Sequence, residues 1–204
     1  MLGSNGVAAA LRLAGLGRMI GHYPPDTLDR EFRFGDFAAI NQSIVEMYGP
    51  HVAKGVCLRA GRATLRNAVA EGGLMADLPD PAFKLLPCGA KVKVGLHTLA
   101  QVLSKLSDQE ARLEEHDGAL LFIVERCPEC WERTSDETIC YGTTGILLEA
   151  LDWLTDGQKY TVTETGCIAR GEPACTFEIG PGQEEAVIEE SEGTASDTVG
   201  TRTQ

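Results

Sequence analysis

Five of the seven cysteines fall between Cys127 and Cys175, and any fold for this chain has to account for them. The stretch "ERCPECWERTSDETICYGTTG" (125–145) carries Cys127, Cys130 and Cys140, and "ETGCIARGEPACTFEIG" (164–180) carries Cys167 and Cys175. The pattern around them is a hairpin signature: "KYTVTETGCIA" and "ACTFEIG" alternate and are joined through Arg170-Gly171-Glu172-Pro173. With Gly171 as midpoint, Cys167 and Cys175 stand four residues to either side. Residues facing each other across paired strands have Cβ atoms ~4.5–5.5 Å apart. Two thiolates on one zinc, with bonds of ~2.3 Å, sit just under ~4 Å from one another. The spacing suits a shared metal and a cross-strand disulfide equally.

Two further thiol contexts bear on the choice. Cys140 precedes a helix predicted over Tyr141–Leu154, where unpaired backbone N–H groups favour a thiolate. Cys127-Pro128-Glu129-Cys130 is a Cys-x-x-Cys just beyond a strand, either half of a metal site or a dithiol redox pair. It leads into the polar connection "WERTSDETI" instead of the helix that a thioredoxin-like motif requires. Five candidates exceed the four positions of a closed zinc site. Cys57 and Cys88 lie far upstream and are read as bystanders.

The rest of the chain alternates between helical and strand periods. Residues 5–20 are Ala- and Leu-rich, with Asn5 as cap. The small side chains of Ala8, Ala9, Ala10, Ala14 and Gly15 suit close helix contact, within the chain or across a dimer seam. "GDFAAINQSIVEMYG" repeats Phe37, Ile40, Ile44 and Met47 at helical spacing, with Asp36 as cap and Gly49-Pro50 as stop. "GVCLRAGRATLRNAVAEGG" reads as a third helix ending at Gly72-Gly73. In "KVKVGLHTLAQVLSKLS", Leu96, Leu99, Leu103 and Leu106 form an apolar stripe, and His97 beside it carries no role. "EARLEEH" and "ALLFIVE" make a hairpin through Asp117-Gly118, and Asp156-Gly157 closes the 141–154 helix. The order predicts an α+β domain, a four-stranded, mostly antiparallel sheet packed against several helices. It occupies residues 1–180, with a disordered acidic tail over 181–204.

Charge and hydropathy narrow the function classes. The net charge is −12, of which six acids and Arg202 beyond Gln183 contribute −5. The remaining acidity argues against nucleic acid, and Lys84, Lys91 and Lys93 read as a solvated flank. No run reaches the ~18 apolar residues of a membrane span, and the opening lacks the features of a secretory signal. The expected location is a reducing cytoplasm, where thiols bind metal more often than they form structural disulfides.

The segments "LLFIVERCPECWERTSDETICYGTTGILLEALDWL" and "YTVTETGCIARGEPACTFEI" resemble the 4-vinyl reductase domain family, also called the hydrocarbon-binding domain. The ending Glu164-x-x-Cys167-x-Ala169-x-Gly171-x-x-x-Cys175-x-Phe177 carries the resemblance most specifically. It implies an α+β fold similar to vesicle-tethering-complex small subunits, enclosing a hydrophobic cavity between helices and sheet. It implies a zinc held by three cysteines, matched here by Cys140, Cys167 and Cys175, with an upstream ligand within 126–130. Cys127, Glu129 and Cys130 are the candidates for that position. It also implies a hydrophobic ligand, aromatic or tetrapyrrole-like, and suggests pocket walls from Leu99, Leu103, Leu106, Leu121, Ile123, Leu147, Leu151 and Phe177.

Three functions follow. One is a small-molecule binding or sensing protein with a cysteine-rich zinc site, acting as a homodimer. Another is vinyl-group reduction in bacteriochlorophyll biosynthesis, as an enzyme or accessory factor. The third is an interaction module with a purely structural metal. Reduction needs a hydride source, and "GLGRMIG" (Gly15, Gly17, Gly21) follows a helix without the dinucleotide-binding spacing. Glu164, set by alternation on the strand face opposite Cys167, reads as a strand–helix contact or a general acid. The balance lies with binding.

Overall fold

The computed structural model describes residues 2–25, 29–70 and 81–182. The end of the third helix at Gly72-Gly73 and the acidic tail beyond 182 lie outside the described residues. In chain order the elements are α1 (Gly3–Leu13), a 3₁₀ turn (Gly17–Met19), α2 (Phe34–Ala70), α3 (Pro81–Lys84) and α4 (Cys88–Leu106). There follow β1 (Ala111–His116), β2 (Ala119–Val124), α5 (Tyr141–Leu154), β3 (Tyr160–Gly166), a 3₁₀ turn (Ile168–Arg170) and β4 (Cys175–Pro181). The sheet order is β1-β2-β4-β3 with every neighbour antiparallel, which is the α+β architecture expected.

Local chemistry explains most boundaries. Asp117 and Gly118 both take positive φ (50° and 84°), the tight hairpin turn that Asp-Gly favours. Gly49, at φ 77° and ψ 161°, breaks α2 into two arms, and Pro50 opens the second arm with its pre-set φ. Three expectations shift. α1 stops at Leu13 because Gly15 adopts a left-handed conformation (φ 73°), so residues 5–20 are not one helix. Asn5 lies inside α1, whose N-cap is Leu2. Asp36 sits in the first turn of α2 but is held by the Arg33 guanidinium instead of the helix amides.

The main core lies between one face of the sheet and helices α4 and α5. Phe122, Val124, Phe177 and Ile179 point inward to meet Leu96, Leu99, Leu147 and Leu151, all buried. A smaller cluster joins Ala10 of α1 to Ile44, Ala53 and Val56 on the two arms of α2. α2 and α5 cross with their backbones touching: a Cβ on Gly61 would run into the Gly142 carbonyl, and one on Gly145 into the Leu58 carbonyl. This crossing carries α2 up to the start of α5, where the cysteines gather.

Candidate metal centre and adjoining cavity

The five cysteines of the last third converge at one end of the sheet. Cys175 opens β4 and pairs in register with Val124, the last residue of β2, and three residues later the chain reaches Cys127. Cys140 is the N-cap position of α5. Cys167 follows β3 and starts the 3₁₀ turn, whose end at Gly171 (φ 96°) returns the chain toward β4. The result is a buried sulfur cluster. Sγ separations are 3.4 Å for Cys127–Cys140 and for Cys130–Cys175, 3.6 Å for Cys140–Cys175 and 3.9 Å for Cys140–Cys167. All seven cysteines are free thiols.

A break in strand alternation brings in one more ligand atom. In β3, Glu164 pairs with Phe177 but Gly166 pairs with Thr176, so one extra residue is accommodated between them. This bulge resets the alternation. Glu164, ahead of it, and Cys167, behind it, therefore both face inward, where strict alternation sets them on opposite faces. Glu164 Oε2 accepts a hydrogen bond from the Cys140 backbone N–H at 2.9 Å, so the strand–helix contact is present. Its Oε1 is buried without a donor among the described residues.

The side chains form two overlapping sets of four whose ligand atoms lie within 4.8 Å of one another. One is Cys127, Cys130, Cys140 and Cys175; the other is Cys140, Glu164, Cys167 and Cys175. The chemistry fits a soft divalent cation: thiolates at ~2.3 Å from a tetrahedral zinc stand just under ~4 Å apart, as these sulfurs do. The cluster could hold a metal ion. The thiols meanwhile perturb one another strongly. Cys127 is pulled well below the usual thiol range by hydrogen bonds from Cys130, then Cys140 and Cys175. Cys140 is pushed up by the same sharing with Cys127 and its neighbours. Glu164 is raised to about 9 by burial and by the charge of Cys167.

Glu129 does something different. Its carboxylate accepts from Gly142 N (2.7 Å), Thr143 N (2.6 Å) and the Thr143 hydroxyl (2.7 Å), and belongs to neither ligand set. A turn from elsewhere in the chain thus caps α5, meeting the orphan amides of its first turn with a negative charge. Burial nevertheless pushes the Glu129 carboxyl up, against the pull of these hydrogen bonds.

Beside this centre lies a cavity of ≈390 Å³. Phe32, Phe34, Phe37, Ile40, Ile44 and Val56 supply its apolar wall from α2 and its approach. Pro128 and Glu129, from between the two cysteines of the Cys-x-x-Cys turn, and Gly142 and Thr143, just after Cys140, close the other side. Outside the wall, Phe34 packs edge-to-face on Trp131 at 5.5 Å, tying the start of α2 to the residue after Cys130.

The cavity is not where the apolar stripes suggest. Of the eight suggested wall residues only Leu103 lines it. Leu99, Leu147, Leu151 and Phe177 are fully enclosed in the main core. Leu121 and Ile123 face the other side of the sheet, since they pair with Glu178 and Thr176, while Leu120, Phe122 and Val124 take the inner face. Leu106 is half-buried at the end of α4. Cys57, read as a bystander, lines the cavity; its thiol donates to Asn41 Oδ1 at 3.5 Å and burial pushes it up to about 11. The signal for this wall is the cluster Phe32, Phe34 and Phe37, half of the six phenylalanines in the chain.

Residues 120–181 match the 4-vinyl reductase domain. This is the resemblance read from the cysteine segments. The match takes in β2, α5, β3 and β4, and with them Cys127, Cys130, Cys140, Cys167 and Cys175; the helices before residue 120 lie outside it. No curated protein matches the chain. Among solved structures, the phenol-responsive sensory domain of the transcription activator PoxR, crystallised with phenol, is 15% identical. The likeness covers 74% of this chain and 75% of that one, with a TM-score of 0.54, and shows a shared fold. An H-NOX protein from S. oneidensis in the Fe(II)NO ligation state is 16% identical, covering 88% of this chain and 98% of that one with a TM-score of 0.48. No helix among the described residues is long and apolar enough to cross a membrane.

Proposed function

We propose that the chain is a small-molecule binding protein that takes a small aromatic compound into the cavity beside α2. A zinc ion held by Cys127, Cys130, Cys140 and Cys175 fixes one wall. The observation that carries this reading is the shared wall: Pro128, Glu129, Gly142 and Thr143 line the cavity and belong to the two segments that carry Cys127, Cys130 and Cys140. Ligand pockets typically hold ~300–1,000 Å³, lined mostly by apolar groups with a few polar ones. At ≈390 Å³ the space suits one or two fused rings better than a tetrapyrrole. Asn41, on the wall, has a buried Nδ2 without an acceptor among the described residues and would donate to a ligand hydroxyl. The PoxR sensory domain, which shares the fold, is described as phenol-responsive. A reducing cytoplasm suits a centre made of free thiols. A homodimer seam along α1 belongs to the same reading, and sedimentation at tens of micromolar checks it, since dimers depend on mass action.

The test is calorimetry and thermal shift of zinc-loaded protein against a panel of phenols and bicyclic aromatics. Binding is expected, and it should disappear in Thr64→Trp, which fills the rim of the cavity from an exposed position. Absence of binding across the panel, or binding unaffected by Thr64→Trp, refutes the site.

A further inference from the structure

The two ligand sets share Cys140 and Cys175, whose sulfurs stand 3.6 Å apart. On one side of that shared edge the set is completed by Cys127 and Cys130, on the other by Cys167 and Glu164, and neither set takes in the other's outer pair. We propose that the centre binds two zinc ions, bridged by the thiolates of Cys140 and Cys175, with Cys127 and Cys130 completing one tetrahedron and Cys167 and Glu164 the other.

Stoichiometry is the first argument. Six ligand atoms are too many for one closed zinc site. They are the number required when two four-coordinate ions share two bridging sulfurs. Charge is the second. Five thiolates and one carboxylate carry six negative charges, of which one zinc leaves four unneutralised in a buried site. Such a surplus is costly away from water. A second zinc lowers it to two, the charge of an ordinary four-thiolate zinc site. The third argument is Glu164. Its Oε1 is buried without a donor, while Oε2 is already held by the Cys140 amide. A buried oxygen with no donor is uncommon in a well-satisfied interior and calls for a missing partner. The bulge between Glu164 and Gly166 is what turns this carboxylate and Cys167 to the same side.

This inference rests on the zinc reading above, and the experiment separates the two. The full chain, purified under reducing conditions from zinc-supplemented culture, is weighed by native mass spectrometry, with metals and acid-labile sulfide assayed in parallel. The expected result is two zincs per chain and no sulfide. Cys167→Ser and Glu164→Gln should each fall to one zinc, as should Cys127→Ser on the opposite side. Loss of a shared ligand, in Cys140→Ser, should release both. X-ray absorption at the zinc edge of the unmutated protein should contain a zinc–zinc scattering path, a readout independent of whether any variant folds. One zinc per chain without that path overturns the two-zinc centre and leaves the single-zinc reading standing. No metal overturns both. Iron with labile sulfide also overturns the two-zinc centre, replacing it with a cluster of another kind.

Discussion

The cysteine centre and the cavity share a wall yet are specified in opposite ways. The centre is drawn from 127–175, its ligands placed by strand ends, a helix start and a tight turn. The cavity is drawn from two distant stretches, 32–64 and 128–146, together with Leu103 and Gln109, and exists only because α2 bends away at Gly49 while touching α5 at Gly61. Local spacing can encode the first. The second is a property of how helices lean, and no short pattern records it.

Removing metal is the sharpest way to set the two regions against each other. Chelation under reducing conditions should destabilise the protein by about 4 kcal/mol, if free zinc had stood ~1,000-fold above its dissociation constant. For a chain of this size that is a fall in melting temperature on the order of 10 °C. Aromatic binding should weaken in parallel, as followed by calorimetry. Unchanged binding would show that the shared wall holds its shape without the centre.

The helix crossing comes next. Gly145→Val should cost about 3 kcal/mol, the upper end of ordinary overpacking, because its side chain meets the Leu58 carbonyl. Denaturant unfolding measures that loss. The cavity should be deformed while zinc content stays as in the parent, which separates the regions in the other direction. A smaller effect is expected at the residue that serves both. Glu129→Ala strands the amides of Gly142 and Thr143, at about 2 kcal/mol for unsatisfied buried donors. Glu129→Gln keeps one acceptor oxygen and should lose less, and both should retain metal.

The smallest effect lies at the outer side of the crossing. Hydrogen bonds from Arg66, and then from Arg62, hold the Glu149 carboxyl below its ordinary range. A depressed folded-state pKa adds stability that is present above the unfolded carboxylate value and lost as pH falls through the folded one. Acid titration of stability should therefore lose part of its slope below about pH 4.5 in Arg66→Gln. Aromatic binding at neutral pH should not change.

Much of the fold is legible in the sequence. The two hairpins announce themselves by alternation and by Asp117-Gly118, and α5 is bounded by Cys140 before it and Asp156-Gly157 after it. The cysteines point to the centre because ligand spacing is a local quantity. What escapes such a reading is non-local. Leu121 and Phe122 are equally apolar, so nothing within β2 announces which of them turns inward; pairing with β4 decides it. The aliphatic stripe of α4 suggests a cavity wall, yet Leu96 and Leu99 are fully packed. An apolar stripe defines a face and cannot say whether the opposite face fills it. Gly61 and Gly145, which set the spacing of α2 and α5, stand in unremarkable helical contexts. The small residues that draw the eye lie along 5–20, where Ala10 does pack on α2.

The irregularity in β3 sets a rule of parity. Glu164 and Cys167 are separated by an odd step, and a plain strand sends odd steps to opposite faces. The residue absorbed at the bulge makes the step count as even. Related chains should therefore be compared by counting as well as by matching ligands. One that carries a single residue between this glutamate and cysteine reaches the same geometry with an unbroken strand, and has no need of the irregularity. One that keeps both intervening residues but straightens the strand turns a ligand away from the metal, although every ligand is still written in its sequence.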